Sequence, residues 1–341
     1  MRSIKFLGKL IYIANWLAVV LLLACFVASF MPPASFPYLN LLSLAVSPLI
    51  LVNFLFAIYW IFRGKKRFVP SVLILILAFL FFKPVVWNTA RRAQDKPKNL
   101  SVVSYNVRLF NAYEKDPQPD QVGARFAQMV ASQQPDVICI QEFYRPNAVD
   151  FSAYPYSFIH FKEQTNDLGH AIFSKYPLVG AGKFDFEGTY NNTIYADLRV
   201  GTDTLRVYNF HLQSIGILPN LDYLQAQGAD RISEGLSAAF VRQQEQAEAL
   251  VQHREKSPYP VILAGDLNNS AFGSIYNMMS DGLNDAFLEA GNGIGGTFTF
   301  GFYPLRIDFI LSDPGLTVTE YLTLERGMSD HKPIFASYQW D

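Results

Sequence analysis

Val261-Ile262-Leu263-Ala264-Gly265-Asp266-Leu267-Asn268-Asn269-Ser270 is a short apolar run that ends in acid, amide and hydroxyl side chains. It reads as a strand that delivers Asp266 and Asn268 at its end. Residues at i and i+2 of an extended chain share a face, so the two side chains can address one small target together. Gly265 lets the backbone come close to that target. One carboxylate beside one amide suits an oxygen-liking cation or an attacking water, and a strand ending in an Asx turn is the plainer alternative.

Short β-rich runs alternate with helical ones on both sides of this stretch. Leu100 to Asn106 reads as a strand, 121–133 as an amphipathic helix with Phe126, Met129 and Val130 on one face, and 136–142 as a second buried strand. Runs at 156–160, 170–174, 194–200 and 204–212 are strand-like, with a hairpin signal at Gly201-Thr202-Asp203. A long helix with a Gln-rich face is expected over 233–253, and strands over 306–311, 316–323 and 334–340. Many strands and several helices over about 240 residues predict one layered α/β domain with a sheet core.

The chain ahead of this domain has a different chemistry. Residues 1–97 carry 11 Lys and Arg against one acid, Asp95, a net +10, whereas residues 98–341 carry 17 basic and 28 acidic residues, a net −11. Three apolar stretches, about 10–30, 39–62 and 68–87, each approach the ~20 residues that cross a ~30 Å hydrocarbon core. Their one charge, Lys83, lies near an end where it can snorkel. Trp16, Tyr59, Trp60 and Trp87 supply aromatic residues, the last three placed to anchor at the interface. The first stretch exceeds the usual ~7–15 residues of a signal peptide's apolar core, so an uncleaved span is expected.

Residues 1–88 are thus expected to form a transmembrane region of about three helices, 89–99 a polar linker, and 100–341 the domain. Arg2, Lys5 and Lys9 at the amino end, and Arg63, Lys65, Lys66 and Arg67 in the second loop, are expected to face the cytoplasm by the positive-inside rule. With three spans, the domain then lies outside the cytoplasm, on an inner or plasma membrane of bacterial type; Arg91, Arg92, Lys96 and Lys98 run against that orientation. Cys25 falls in a span and Cys139 in a domain strand, so no disulfide is expected.

Polar residues recur where strands end, the places at which loops on a rigid scaffold carry function. Asn106 closes V-V-S-Y-N, Glu142 closes I-C-I-Q-E, His211 lies in V-Y-N-F-H-L, Asp308 in L-R-I-D-F-I-L, and Asp330 with His331 in S-D-H. Singly, a turn explains Asn106, surface exposure Glu142 and an ordinary hydrogen bond His211. Asp308, between Ile307 and Phe309, needs a partner if buried, and a histidine would serve. Taken in order, S-Y-N-V-R, I-Q-E, G-H-A-I-F-S-K-Y-P, N-F-H-L, G-D-L-N, R-I-D-F-I-L and S-D-H-K-P resemble the endonuclease/exonuclease/phosphatase superfamily. These metal-dependent phosphoesterases include DNase I-like nucleases, neutral sphingomyelinases and inositol-polyphosphate 5-phosphatases. The resemblance covers residues 100–340 and leaves the membrane part outside.

The resemblance implies an α/β (α+β) four-layer sandwich, two packed mixed sheets flanked by helices, with one site at the strand ends. It implies Glu142 as ligand of Mg2+ or Mn2+, with Asn106 and Asp330 as nearby or second ligands; a hard cation that keeps its waters suits such oxygen donors. Asp266 would orient or deprotonate the attacking water, and Asn268 would hold phosphate or water. His331 would contact the phosphate, with Asp308 fixing its tautomer and favouring its charge. His211 would be a second phosphate contact, stabilising developing charge or protonating the leaving oxygen. His170 stands where a small polar residue, often Asn, is common in such relatives, and the plainer reading keeps it out of the site. His160 and His253 read as structural or surface residues, and Asn191 and Asn192 as a turn.

Tight nucleic-acid binding needs Lys and Arg that displace phosphate counterions, and a domain at −11 without a basic run lacks that footprint. A phosphodiester, in nucleic acid or in a phospholipid head group, is the expected partner, beside the bilayer entered by the N-terminal helices. Residues 214–235, which include Ile215, Leu218 and Tyr223, are long for a loop and read as a packed insert or as a lid facing substrate or membrane. The expectation is a membrane-anchored Mg2+-dependent phosphodiesterase. The alternative is a membrane-tethered binding or scaffold protein with a degenerate site, against which the full set of site residues weighs.

Overall fold

The apolar stretches of the N-terminal region fold as α1 (Arg2–Ala28), a 3-10 segment (Pro37–Ala45) that runs into α2 (Val46–Phe62), and α3 (Val69–Phe82). The computed structural model describes residues 2–82, 88–89, 100–145, 147–162, 167–215, 229–300, 303–325, 327 and 329–340. Phe6–Ala28 and Pro37–Phe62, of 23 and 26 residues, are long and apolar enough to cross a membrane. Among the described residues these two helices have the length of a span, and the described part of α3, 14 residues, covers about 21 Å of a ~30 Å hydrocarbon core. Lys83 and Trp87, expected in the third span, lie outside the described residues, as do positions 90–99 of the linker and 216–228 of the long insert.

These helices are built inside out. Asn15, Asn53 and Ser71 are fully buried, while Phe6, Leu10, Ile13 and Leu17 are exposed. Asn15 Nδ2 donates to Ser71 Oγ at 2.6 Å, and Ser71 Oγ donates to Asn53 Oδ1 at 3.3 Å. Polar side chains that bond across helices beneath an apolar exterior are the packing expected where the surroundings are lipid. Trp60 belongs to this interior, with Tyr12 and the Arg67 guanidinium against its ring, and not to an interfacial rim.

Twelve of the domain strands form two six-stranded sheets, and Phe298–Phe300 pairs with Tyr303–Leu305 in a hairpin of its own. In chain order the elements are β1 (Leu100–Asn106), α4 (Pro119–Gln133), β2 (Val137–Tyr144), β3 (Tyr156–Phe161), β4 (Leu168–Ser174), β5 (Leu178–Asp185), β6 (Asn192–Val200), β7 (Asp203–His211), α5 (Ala229–Glu255) and β8 (Val261–Asp266). They continue with α6 (Ser274–Ser280), β9 (Asn284–Asp285), α7 (Ala286–Ala290), β10 (Phe298–Phe300), β11 (Tyr303–Leu305), β12 (Asp308–Ser312), β13 (Thr317–Thr323) and β14 (Ile334–Gln339). One sheet has the order β13-β14-β1-β2-β4-β3 and the other β9-β12-β8-β7-β6-β5. Each is mixed, with a parallel pair inside it: β1 beside β2 and β7 beside β8.

Alternation along the strands explains the layers. Val102, Ile172, Val207, Ile262 and Ile310 face inward and form the core between the sheets. Val103, Ile138 and Ile140 face outward onto Val122 and Phe126 of α4. On the other side, Tyr208, Phe210, Leu263 and Phe309 pack with Ala247 and Leu250 of α5, in a cluster that also takes in Leu22, Val46 and Ile74 of the N-terminal helices. The four-layer α+β sandwich matches the expectation, with the N-terminal helices joined to one outer layer.

β5 escaped the sequence reading because Gly180 and Gly182 break its β-rich pattern. The two glycines leave room for the Asp197 carboxylate and the Tyr195 ring on the neighbouring strand. Gly265 has the same kind of reason: a Cβ there would overlap the carbonyl oxygen of Phe210 on β7. Gly265→Ala should therefore destabilise the fold by about 3 kcal/mol, as forced overpacking of a strand pair does, read as a lowered Tm of the purified chain.

Candidate active site

The strand directions collect the polar residues at one edge. β1, β2, β7 and β8 end there, and the antiparallel neighbours begin there: Asp308 opens β12 directly opposite Asp266, and His331 precedes β14, whose Ile334 pairs with Ser104 of β1. Two side chains from each sheet thus need no long loop to meet.

Asn106 joins the two halves. Its Nδ2 donates to Glu142 Oε1 at 3.2 Å in one sheet and to Asp266 Oδ2 at 3.1 Å in the other. Its Oδ1 accepts the Arg108 backbone N–H at 3.0 Å, which orients the amide with its nitrogen toward the two carboxylates. Glu142 is brought into the site by a bulge: the pairing of β2 with β4 shifts between Ile140 and Phe143, and Glu142 takes a left-handed φ of 52°. Asp266 is fully buried, and its Oδ1 accepts the backbone N–H of Asn268 at 2.8 Å. Asn268, at φ 51°, donates from Nδ2 to the Leu212 carbonyl at 2.9 Å. An Asx turn does form here, and it is what turns Asn268 back toward the His211 strand.

Asp308 has the partner its burial demands. His331 Nδ1–H donates to Asp308 Oδ2 at 2.9 Å, leaving Nε2 turned to Asp266 Oδ2 at 3.7 Å. His211 Nε2 lies 3.6 Å from the same oxygen and 3.8 Å from Glu142 Oε1. Asp330 is more exposed and faces Arg108 Nε at 3.8 Å. His253 bonds Tyr208 and His160 bonds Asp185, both as structural residues. Asn191 donates to the Leu212 carbonyl, so its turn supports the same corner as Asn268.

The electrostatics divide the residues by task. Burial works against charge on His331, but Asp308 and Asp266 outweigh it and push its pKa up to about 10. Burial raises Asp266 to about 6 against the pull of His331. His211 is pushed down by burial, despite Asp266, and is neutral at pH 7. Glu142 is raised by burial and by Asp330, with the Asn106 bond opposing. Glu142, whose charge burial and the nearby Asp330 disfavour, together with the Asp330 oxygens, fits a hard divalent cation. Asp266, Asp308 and His331 also cluster within 4.8 Å, but there the His331 cation already compensates the acids, so the triad reads as hydrogen-bonded rather than metal-binding.

His170 was read as lying outside the site, and its surroundings are different. It sits opposite the Glu142 bulge with its ring 5.7 Å from that of His211, buried, and neither ring nitrogen has a hydrogen-bond partner among the described residues. Burial, then His211 and His160, holds it neutral. The signal was a histidine inside an otherwise apolar strand end; the bulge that brings it there is not written in local sequence. Arg108 was also passed over, although S-Y-N-V-R contains it.

A model of the endonuclease/exonuclease/phosphatase family matches residues 103–331, and a domain of unknown function matches residues 8–85. No curated protein matches the chain. Among solved structures of similar fold is the endonuclease/exonuclease/phosphatase from Bacteroides vulgatus, with TM-score 0.57, 16% identity and coverage of 72% of this chain and 100% of that one. D. rerio TDP2 complexed with single strand DNA product aligns with TM-score 0.53 and 18% identity over 70% and 98%. The Bacteroides thetaiotaomicron VPI-5482 mannosyl-6-phosphatase aligns with TM-score 0.51 and 20% identity over 71% and 100%. At these identities the likeness is one of fold.

The buried pair makes its own prediction. With Asp308→Asn, His331 should titrate at least one unit below about 10, because the carboxylate holding its proton is gone; histidine NMR across pH reads the shift.

Proposed function

The chain belongs to the endonuclease/exonuclease/phosphatase family, and we propose that it is a membrane-anchored, divalent-metal-dependent phosphodiesterase. The observation that carries this reading is the Asn106 amide set between Glu142 and Asp266, with charged His331 and neutral His211 beside the same Asp266 oxygen. One general base, one fixed cation and neutral donors around a common point are the parts that in-line attack on phosphorus requires.

Asp266 orients the water and takes its proton; a base raised to about 6 is ionised at neutral pH yet still a competent acceptor. Asn268, with its Nδ2 fixed by the Leu212 carbonyl, keeps its amide oxygen to accept a hydrogen bond from the attacking water. His331, with its tautomer set by Asp308, donates from Nε2 to a phosphoryl oxygen. His211, held neutral, serves better as a hydrogen-bond donor to developing charge than as the acid for the leaving oxygen. Glu142 and Asp330 would hold the cation, Mg2+ or Mn2+, with Asn106 keeping Glu142 in place. When bound, that cation supplies Lewis-acid stabilisation of phosphoryl charge.

Structures of this fold include a protein holding a DNA product and a sugar-phosphate phosphatase, so fold leaves the substrate to charge and location. The net −11 of residues 98–341 disfavours long polyanions, and the inside-out N-terminal helices favour a phosphodiester presented at a bilayer.

Hydrolysis of bis-p-nitrophenyl phosphate should be lost with chelator and should fall ~10²–10⁴-fold in Asp266→Ala and His331→Ala. kcat/KM should rise as pH passes about 6, where Asp266 loses its proton, and fall near 10, where His331 loses its charge. A purified chain inert with every divalent metal would leave the binding-protein reading standing. For the anchor, with the third apolar stretch crossing as well, reporter fusions after Asn99 should show activity only for an extracytoplasmic reporter; activity of a cytoplasmic reporter would mean that two stretches cross and would overturn this orientation.

A further inference from the structure

The loop after β8 carries Asn268 and is held from outside the catalytic fold. Residues 267–273 form no strand or helix, and Asn268 takes a left-handed φ of 51°, a conformation open to Asn, so the direction in which it presents its amide depends on what holds the loop. Part of that hold is the 3-10 segment Pro37–Ala45. Ser274 Oγ donates to Asn40 Oδ1 at 2.9 Å and Ser270 Oγ donates to the Ser43 carbonyl at 3.2 Å, while Ser43 Oγ, which donates to the Asn40 carbonyl at 2.7 Å, lies 3.4 Å from Asn269 Oδ1. Asn40, Ser43, Asn269 and Ser270 are buried, and Ser274 is partly so.

The network continues inward. Asn269 Nδ2 donates to Gln243 Oε1 of α5 at 2.9 Å. Gln243 Nε2 donates to the Asn268 carbonyl at 3.2 Å and to the Gln213 carbonyl at 2.7 Å, two residues beyond His211. Buried polar networks whose members are satisfied fix one geometry, and partners behind a catalytic group set its orientation.

We propose that Pro37–Ala45 is a positioning element of the active site: Asn40 and Ser43 hold the loop that presents Asn268, so full turnover requires the N-terminal region as more than an anchor. The proposal rests on the phosphodiesterase reading above. It also divides the site, because none of these hydrogen bonds reaches Glu142, Asn106 or Asp330. Loosening the segment lowers kcat and leaves metal affinity unchanged.

The test uses the full chain in detergent. Asn40→Ala/Ser43→Ala should raise amide hydrogen exchange across 267–274 at least tenfold, with β2 exchange unchanged as the check on folding. The same variant should lower kcat for bis-p-nitrophenyl phosphate about tenfold, with KM and the half-saturating Mn2+ concentration unchanged. Ser274→Ala, which removes the Asn40 bond from the domain side, should act in the same direction. Asn277→Ala is the control: its Nδ2 donates to the Ser29 carbonyl at 2.9 Å, in the same interface but off the loop, and it should leave exchange at 267–274 and kcat at wild-type values. Unchanged loop exchange in the double variant, or an equal kcat loss in Asn277→Ala, would overturn the proposal. Absence of turnover in the unaltered chain sinks the phosphodiesterase reading instead, and loop exchange then decides the support by itself.

Discussion

The hydrogen bonds from the Asn106 amide to Glu142 and Asp266 are the constraint on which the site depends. Each sheet alone offers part of the site: Asn106, Glu142, Asp330 and His331 in one, His211, Asp266 and Asp308 in the other. The halves meet because the parallel pairs of both sheets end at the same edge of the sandwich. A second bond ties the sheets just beneath, where Gln141 Nε2 donates to Asn209 Oδ1 at 2.7 Å. Both residues are fully buried, so separating the sheets would strand polar groups without water.

Backbone strain gathers around the same edge. Glu142 and Asn268 hold positive φ, and Arg108 to Asn111 hold it four times in succession, between 48° and 58°. Left-handed helical geometry costs an L residue roughly 1–2 kcal/mol, so that turn must be held by contacts. Phe110 supplies one, buried against Phe126 and Phe143, and the Arg108 N–H bonded to Asn106 supplies another. The turn that strains the backbone is therefore also the one that orients the bridging amide.

Much of this was legible in the residues. Strands such as Leu100–Asn106 and Val261–Asp266 are apolar and short enough to announce themselves, and Asp308 declared its need for a histidine by sitting between Ile307 and Phe309. What stayed hidden depends on partners distant in sequence. β5 is a strand because its glycines fit the Asp197 and Tyr195 side chains, and His170 faces the site because a bulge forms opposite it. Pro37–Ala45 looked like the start of a span, since its Asn40 and Ser43 reveal their use only against Ser274 and Asn269.

The buried imidazolium of His331 gives the domain two electrostatic ranges. Outward lies a domain with net charge −11, and inward a cation that keeps its proton up to about pH 10. Mobile ions screen charges over ~10 Å at 0.1 M salt. A compact anion that reaches the strand ends sits within that distance of His331, whose charge Asp308 and Asp266 already balance, so it is held by direct hydrogen bonding rather than by a long-range field. An extended polyanion spreads over many such lengths and feels the acidic exterior along most of its contour. Ionic strength therefore acts on the exterior alone: added salt relieves the repulsion of an extended polyanion and leaves the short-range contact at His331 unchanged.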